Sequence, residues 1–416
     1  MRHREPRRSW DVVTVDFEYD QKTLELKAKL EAFMTDCVYP AEPIAHAQVL
    51  EGAPFARPPV MAELQAEARK QGLWNLFLTH DDRGPGLTNV QYAPLAEITG
   101  RSPHLAPEAL NCNAPDTGNM EVLAMFGNAE QQAQWLDPLL EAKIRSAFCM
   151  TEPAVASSDA RNIQLQIRRD GDEYVINGRK WWSTGAMSPA CEVFIVMGET
   201  NPEAPPGQRQ SMVLVPRNTP GVTVMRPMTV FGYDDGAHGG HAEVDFDSVR
   251  VPVSNLIGEE GSGFAIAQAR LGPGRIHHCM RMIGMAERAV QMMCERALAR
   301  EAFGKPIADQ GVVQHWIAQS RVRIESTRLL ILKTAWLMDT VGNKGAHTEI
   351  QAIKILTPSM TEWVLDKAIQ VHGAGGLSQD FPLAAFFAGA RGLRFADGPD
   401  EVHEASLARR ELRRFA

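Results

Sequence analysis

The first third of the chain carries its apolar residues mostly at helical spacing. Between about Tyr19 and Ala142 they recur three or four positions apart, as in the stripe formed by Leu26, Leu30 and Phe33. Apolar positions with this period form one face of an amphipathic helix, which packs against a core. The pattern therefore predicts an N-terminal domain built from α-helices.

In the middle of the chain the pattern changes to an alternation of apolar and polar residues. Ile163, Leu165 and Ile167 alternate with polar neighbours, which is typical of a half-buried β-strand. The run Tyr174–Ile176 leads into Asn177–Gly178, a pair that favours a tight hairpin turn. Further strands are predicted at Val193–Met197, Ser211–Val215, Gly221–Met225 and Ala242–Phe246. Short strands at this regular spacing predict a β-barrel or sandwich.

Helical spacing returns after Ser262 and continues to the end of the chain. Three segments, near Arg275–Arg300, Val312–Val341 and Glu349–His372, each have the length of a bundle helix. The order predicts an α+β multidomain fold. Its expected parts are an N-terminal α-helical domain at 1–145, a middle β-barrel or sandwich domain at 146–258 and a C-terminal bundle of four or five helices at 259–416.

Composition and charge narrow the class of protein. The 43 Lys and Arg residues against 51 Asp and Glu give a net charge of −8, which argues against general nucleic-acid binding because that requires a basic surplus. No apolar stretch approaches about 18 residues, and none follows the basic N-terminus, so we expect neither a membrane span nor a secretory signal. The six cysteines show no C-x-x-C spacing, which favours a reducing compartment. We therefore expect a cytoplasmic protein.

Four short segments carry candidate chemistry, and their order along the chain is informative. They are Ala147–Asp159 (AFCMTEPAVASSD), Lys180–Gly185 (KWWSTG), Arg300–Lys305 (REAFGK) and Gln370–Gly376 (QVHGAGG). Together with the order of helices, strands and helices, they resemble the acyl-CoA dehydrogenase flavoprotein family from about Phe17 to Ala416. The motifs are most similar to the long-chain branch of that family, which also occurs fused to kinase-like domains in animals.

The resemblance implies FAD as the cofactor and assigns residues to it. The first two segments would lie along the flavin ring, through Phe148, Met150, Thr151 and Ser157 and then through Trp182, Ser183 and Thr184. The last two would reach the FAD of a neighbouring subunit, through Arg300, Phe303, Gln310, Gln370 and Gly373. A flavin needs fixed donors to stabilise its reduced anion, and main-chain groups and hydroxyls supply them. The same resemblance implies a homodimer or homotetramer.

The resemblance also points to a catalytic base. Most family members carry Glu in a Y-E-G-T sequence before the last helix, and the matching stretch here, Phe395–Asp400 (FADGPD), places Asp397 there. A second branch carries its base on an earlier helix, directly before an Arg. Here Gly274 precedes Arg275, and glycine has no side chain to act as a base. The resemblance further implies that substrate is bound by Ser157, Arg275 and Gly398. From the residues alone, the stretch is better explained as a simple turn whose Asp caps the following helix.

Such a protein would desaturate an acyl-CoA thioester between its α and β carbons. The base would take the α-proton, hydride would leave the β-carbon for flavin N5, and the electrons would pass to electron-transferring flavoprotein. One alternative is an oxygen-using flavin oxidase of the same fold, acting on acyl-CoA or nitroalkanes, because nitroalkane-oxidising relatives also use Asp as the base. Another is a DNA-associated flavoprotein or a non-catalytic acyl-CoA binder, against which the acidic charge and the retained carboxylate both count.

One pair of histidines suggests a metal site only when it is taken in isolation. His238 and His241 lie close together in the sequence GAHGGHAEV. No third ligand is evident from the sequence, so we expect an ordinary loop and no metal site.

Overall fold

The computed structural model of the protein describes residues 17–79 and 83–416. The first 16 residues, on which the expectation about a secretory signal rests, lie outside the described part. Within the described ranges, no helix is both long and apolar enough to cross a membrane.

The N-terminal part is helical, as its apolar spacing predicts. Two of its α-helices are continuous with the next one through a π-helical segment. Met34–Val38 joins the first helix to the second, and Gln132–Leu136 joins the seventh to the eighth. The helices are α1 (Gln21–Phe33), α2 (Tyr39–Glu51), α3 (Val60–Lys70), α4 (Asn89–Gly100), α5 (Ala106–Ala109), α6 (Asp116–Phe126), α7 (Ala129–Gln131) and α8 (Asp137–Leu140).

The middle part is an eight-stranded sheet. Its strands are β1 (Arg145–Cys149), β2 (Gln166–Asp170), β3 (Glu173–Thr184), β4 (Cys191–Glu199), β5 (Gln210–Pro216), β6 (Val222–Met228), β7 (His241–Pro252) and β8 (Leu256–Ile257). The order across the sheet is β6-β7-β3-β2-β4-β5-β8, and β1 pairs with β4 in parallel. Most neighbours are antiparallel, as expected for strands joined by short connections.

The C-terminal part is a bundle of long helices. Its elements are α9 (Gly263–Ala299), the two-stranded hairpin of β9 (Glu301–Ala302) and β10 (Lys305–Pro306), α10 (Gly311–Gly345), α11 (His347–His372), α12 (Leu383–Gly392) and α13 (Asp400–Leu412). The predicted fold class, with helices, then a sheet, then helices, is confirmed.

Strand β4 shows how the sheet joins the helical parts. Its residues Val193, Ile195 and Met197 are buried in a core shared with the N-terminal and C-terminal helices. The alternate residues Phe194 and Val196 point to the other face, where the strands form a second core of their own. Because successive side chains of a strand point to opposite faces, both faces of β4 are buried. The helices therefore pack directly against one side of the sheet.

The hairpin turn predicted at Asn177–Gly178 is wrong. The chain turns instead at Gly171–Asp172, between β2 and β3, where Gly171 has a φ of 63°. Asn177–Gly178 lies within β3, at an irregular step in its pairing with β7. There the Asn177 side chain accepts a hydrogen bond of 2.8 Å from the Ser248 main-chain N–H, and Gly178 has a φ of 142°. The pair forms a bulge, so β3 runs on through the second motif.

The first predicted strand of this region also begins later than expected. Strand β2 starts at Gln166, whereas the alternation of apolar residues begins at Ile163. The main-chain N–H groups of Gln164 and Leu165 donate to the Glu152 carboxylate, at 2.9 and 2.8 Å. Because these amides bind a side chain, the ladder with a neighbouring strand begins only after them.

Candidate functional site

Asp397 lies in the turn between α12 and α13 and faces helix α9. A side-chain carbon placed on Gly274 would stand 3.6 Å from the Asp397 Oδ2 atom, so this glycine leaves space beside the carboxylate. Helix α13 is capped by Pro399 and has no side-chain cap. The alternative interpretation, in which Asp397 caps that helix, is therefore wrong. The two places at which the family resemblance puts a base are neighbours in space.

Buried polar side chains hold the turn that carries Asp397. Arg275 donates from Nε to the Asp397 carbonyl oxygen at 3.2 Å. Lys354 donates from Nζ to the carbonyl oxygens of Leu393 at 2.6 Å and Gly398 at 3.3 Å. A ring nitrogen of His403, Nε2, lies 3.1 Å from the same Gly398 oxygen. The backbone of the turn is thus fixed from α9, α11 and α13.

The surroundings of Asp397 keep its carboxyl group ionised. Burial by itself raises the pKa of this carboxyl, but the nitrogen-bearing side chains around it, those of His278, Arg270, Arg275 and Lys354, outweigh that effect and lower the pKa below its ordinary value. Although His278 Nε2 lies 3.6 Å from Oδ2, burial lowers the pKa of His278 to about 4. Its imidazole is therefore neutral at neutral pH, where the permanently charged guanidinium groups stabilise the carboxylate.

Two further ionisable side chains, those of Arg270 and Glu121, are buried near Asp397. The Arg270 guanidinium carbon stands 4.1 Å from the centre of the Phe148 ring, and its Nε donates to Asn119 Oδ1 at 3.2 Å. Burial raises the pKa of Glu121 to about 8, and Arg270 opposes this only in part. Glu121 is therefore mostly protonated at neutral pH. Sequence reasoning missed Arg270 and Glu121. The one available signal was that Arg270 precedes Gly274 by four positions, which places both on the same face of α9.

The segment after β1 is fixed by a buried ion pair. Lys180 Nζ lies 2.7 Å from Glu152 Oε1 and donates to the Met150 carbonyl oxygen at 2.8 Å. The Glu152 main-chain N–H donates to Ser157 Oγ at 2.9 Å. The carbonyl oxygen of Thr151 accepts from the Trp181 main-chain N–H at 3.0 Å. The first two sequence motifs are therefore bonded to each other.

The end of β3 presents one exposed aromatic ring and one hydroxyl group. Trp182 has a φ of 53° and is 39% exposed, and its ring centre is 5.4 Å from that of His241. Thr184 Oγ1 lies 2.9 Å from His241 Nδ1. Between them, the Ser183 side chain is fully buried. The pairing with β7 is irregular here, which turns Trp182 outward.

The residues of the last two motifs lie at one end of the bundle, on the surface. Phe303 is 98% exposed, at a φ of 55°, in the tip of the β9–β10 hairpin, and Arg300 and Gln370 are exposed as well. Gln310 is half-buried directly before α10, and Gly373, at a φ of 66°, ends α11. Apart from the half-buried Gln310, these residues face outward, and they do not converge on Asp397 within one chain.

Comparisons with known proteins agree over nearly the whole chain. Residues 147–249 match the acyl-CoA dehydrogenase middle domain, and residues 261–412 match the acyl-CoA dehydrogenase C-terminal domain. The chain is 57% identical over 402 residues to the probable acyl-CoA dehydrogenase FadE2 of Mycobacterium tuberculosis, covering 96% of this chain and 98% of that protein. It is 54% identical over 401 residues to acyl-CoA dehydrogenase family member 11 of Gallus gallus, covering 95% of this chain but only 51% of that longer relative.

A solved structure agrees with the sequence relatives. The chain matches a structure from Mycobacterium abscessus that carries the acyl-CoA dehydrogenase name, with a TM-score of 0.93 and 52% identity. The match covers 96% of this chain and 100% of that one.

Proposed function

The chain belongs to the acyl-CoA dehydrogenase family and is an oxidoreductase of that family, and on this premise we propose that it is an FAD-dependent enzyme that desaturates an acyl-CoA thioester with Asp397 as its base. The observation that carries the proposal is the position of the Asp397 carboxylate. It is half-buried, ionised and directed at the space beside Gly274. A positioned carboxylate is suited to removing a weakly acidic α-proton.

Side chains around β1 and β3 fit a flavin. Thr184 offers a hydroxyl and Trp182 an exposed ring, and Phe148 offers a ring that the Arg270 guanidinium covers on one face. The Ser183 hydroxyl is buried without a hydrogen-bond partner among the described residues. Flavin sites need such fixed donors and flat apolar surfaces. When bound, FAD would supply the hydride acceptor.

The protein's own groups account for the remaining steps in this proposal. Asp397 takes the α-proton, and Arg275 holds its main-chain carbonyl so that the carboxylate stays in place. We assign the Asp397 main-chain N–H to the thioester carbonyl, where a donor stabilises the developing enolate. An apolar acyl chain excludes water and raises the pKa of the carboxyl when substrate binds, which makes it a better base. Ser157, Arg275 and Gly398 are the proposed substrate contacts.

The proposed assembly completes the FAD site from a second subunit. Arg300, Phe303 and Gln370 face outward, and Phe303 is almost fully exposed. A guanidinium group suits paired phosphate oxygens, and an aromatic ring suits an adenine face. We therefore assign Arg300, Phe303, Gln310, Gln370 and Gly373 to the FAD of a neighbouring subunit in a homodimer or homotetramer.

We place the chain in the long-chain branch that occurs fused to kinase-like domains. Its similarity to the chicken family member 11, about half of whose length it spans, supports this placement. The proposed electron acceptor is electron-transferring flavoprotein.

Flavin reduction by a panel of acyl-CoA thioesters tests the proposal. The purified flavoprotein is mixed anaerobically with acyl-CoAs of increasing chain length and branching. Loss of the oxidised flavin spectrum together with formation of the 2-enoyl-CoA is the expected result. A panel in which no acyl-CoA bleaches the flavin would contradict the proposal.

An oxygen-using oxidase is the second candidate, and the aspartate base favours it. Reduced enzyme with bound product is therefore mixed either with air or with electron-transferring flavoprotein. A dehydrogenase reoxidises quickly only with the protein acceptor, whereas an oxidase reoxidises quickly in air. Fast reoxidation in air would show that oxygen, rather than electron-transferring flavoprotein, is the electron acceptor. The proposed role of Asp397 would not change.

A further inference from the structure

A group of metal-ligand side chains lies outside the catalytic turn, near the end of β3. His104 comes from the connection between α4 and α5, whereas Asp235 and His238 belong to the connection between β6 and β7. One ligand atom from each residue lies within 4.8 Å of the other two. Because His104 precedes the others by more than a hundred positions in the sequence, only folding brings the three together.

His104 distinguishes this group from an ordinary polar cluster. Its Nε2 atom is buried and has no hydrogen-bond partner within residues 17–79 and 83–416. Its ring centre lies 5.7 Å from that of His238 and 6.0 Å from that of Phe386. Buried polar atoms are normally paired, so an unpaired one calls for an explanation. A neutral imidazole nitrogen is the commonest metal ligand in proteins.

A chain of polar contacts orients the carboxylate of the group. Asp235 Oδ1 lies 2.6 Å from His238 Nδ1, and Asp235 Oδ2 lies 3.5 Å from His241 Nε2. His241 is in turn fixed by Thr184 at 2.9 Å. His238 is itself a candidate ligand, whereas His241 is an outer partner, and outer partners fix the orientation of metal ligands. Asp235 also has a φ of 51°, so the loop holds its backbone in the left-handed region.

We propose that His104, Asp235 and His238 bind a divalent transition-metal ion of the zinc class. Two imidazole nitrogens and one carboxylate oxygen suit such borderline ions better than calcium or magnesium, which prefer oxygen ligands. Ligand atoms around a tetrahedral zinc ion stand about 3.3 Å apart, given bond lengths of about 2.0 Å. The ligand atoms now lie within 4.8 Å of one another, and small side-chain rotations bring them to that spacing. A water molecule takes the fourth position.

The ion would join two parts of the fold. It links the N-terminal helices, through His104, to the loop that precedes β7, through Asp235 and His238. That loop ends at His241, which contacts both Trp182 and Thr184. Metal binding therefore stabilises the region next to the second motif. The proposal replaces the sequence-based expectation of an ordinary loop, because Asp235 and His104 are the ligands that sequence reasoning overlooked.

Zinc binding by the intact flavoprotein tests the site. The chelator-treated protein is dialysed against a series of free Zn²⁺ concentrations and its bound metal is counted, with flavin content as a check on folding. We expect one equivalent per chain in the wild type, and a dissociation constant raised at least about tenfold in His104→Ala and in the nearly isosteric Asp235→Asn. The matched control is Asp234→Asn, which changes the exposed neighbouring carboxylate and should bind as the wild type does.

The outcomes separate the site from adventitious binding. Zinc should raise the melting temperature of the wild type and of Asp234→Asn but not of the two ligand variants, because only binding to the folded state stabilises it. Binding that survives in both ligand variants, or that disappears on alkylation of the half-buried Cys37 and Cys294, would place the metal elsewhere and overturn the proposal. Absence of stoichiometric binding in the wild type would overturn it as well.

Discussion

Asp397 has a backbone conformation that its neighbours enforce. Its φ of 58° lies in the left-handed region, and Gly398 follows with a φ of 105°. Non-glycine residues rarely adopt such angles unless the surroundings fix them, and they cluster at functional sites. Here Arg275 and Lys354 supply the restraint through hydrogen bonds to the main chain of the turn. In this backbone conformation the carboxylate is directed at α9 rather than at the start of α13.

Glu121 should make the stability of the protein depend on pH. Its pKa is raised from an ordinary value of 4.5 to about 8 by burial, so the folded state keeps a proton that the unfolded state loses. Its contribution to stability is present below about pH 4.5 and is lost as pH rises towards 8, by up to about 1.4 kcal/mol per pH unit. Glu121→Gln should remove this slope. Melting temperatures of both proteins between pH 5.5 and 7.5 measure the difference.

The control for this prediction is Glu130→Gln, which changes an exposed carboxylate. Its melting temperature should follow the wild type at every pH. Equal slopes in all three proteins would mean that Glu121 ionises normally in the folded state.

At the residue scale, motifs identified candidates but not their surroundings. The sequence pointed to Asp397, Gly274 and Arg275 through a resemblance, and the structure brings these three together. Arg270 and Glu121 belong to no motif. Their importance comes from burial, which depends on contacts between α6 and α9 that no local pattern encodes. Their charges were therefore visible in the sequence, but their pKa values were not.

At the scale of the elements, the connection between β1 and β3 depends on the ion pair of Lys180 and Glu152. Both side chains are buried, and together they bind the main chain at Met150, Gln164 and Leu165. Burial lowers the pKa of Lys180 to about 8, although Glu152 opposes this. The pair thus joins the segment after β1 to β3 and holds the first motif in place.

Lys180→Met should destabilise the fold and weaken flavin retention together. Removing one partner of a buried ion pair leaves the other charge uncompensated, which costs about 3–5 kcal/mol. The carbonyl of Met150 also loses its donor, so the flavin-to-protein ratio should fall. Denaturant unfolding and flavin absorbance measure the two effects.

Lys143→Met is the matched comparison, since Lys143 pairs with Glu141 on the surface, where its side chain is 71% exposed. A surface pair contributes about 1 kcal/mol or less. If the two variants lost the same stability, the buried pair would not be the support that we describe.

The elements themselves were largely predictable, whereas their ends were less so. Apolar spacing located the long helices and most strands of the sheet, because these patterns reflect burial along a single element. The bulge at Asn177–Gly178 and the late start of β2 depend on bonds between residues far apart in the sequence. The Asn177 side chain bonds to β7, and the Glu152 side chain bonds ahead of β2. The division at 1–145, 146–258 and 259–416 stays a prediction.

At the scale of the whole molecule, exposed apolar side chains lie together at one end of the C-terminal bundle. Phe303 is 98% exposed, Leu298 70%, Val312 53% and Leu377 68%. They accompany Arg300 and Gln370, which are also exposed. Exposed apolar groups beside an assigned ligand contact mark an interaction surface. This end of the bundle is therefore the face at which we place the neighbouring subunit and its FAD.

Phe303→Ala should lower both assembly and flavin content. In an isolated chain the loss of so exposed a ring would change little, but in the assembly it removes a buried aromatic anchor. Light scattering after size-exclusion chromatography, with the flavin-to-protein ratio, measures both. Phe415→Ala removes another exposed ring, 83% accessible at the C-terminus, and should change neither. A wild-type protein that is monomeric with full FAD content would contradict the shared site.

Rapid-mixing measurement of flavin reduction in Asp397→Asn tests the central claim most directly. Asparagine keeps the shape of the side chain but cannot accept the α-proton, so acyl-CoA should still bind and perturb the flavin spectrum. The rate of flavin reduction should fall by about 10²–10⁴-fold, the range typical of a positioned general base. Asp397→Glu should be milder, and Asp380→Asn, at an exposed site, should behave as the wild type does. Reduction of the flavin in Asp397→Asn at nearly the wild-type rate, with a good acyl-CoA substrate, would show that Asp397 is not the base.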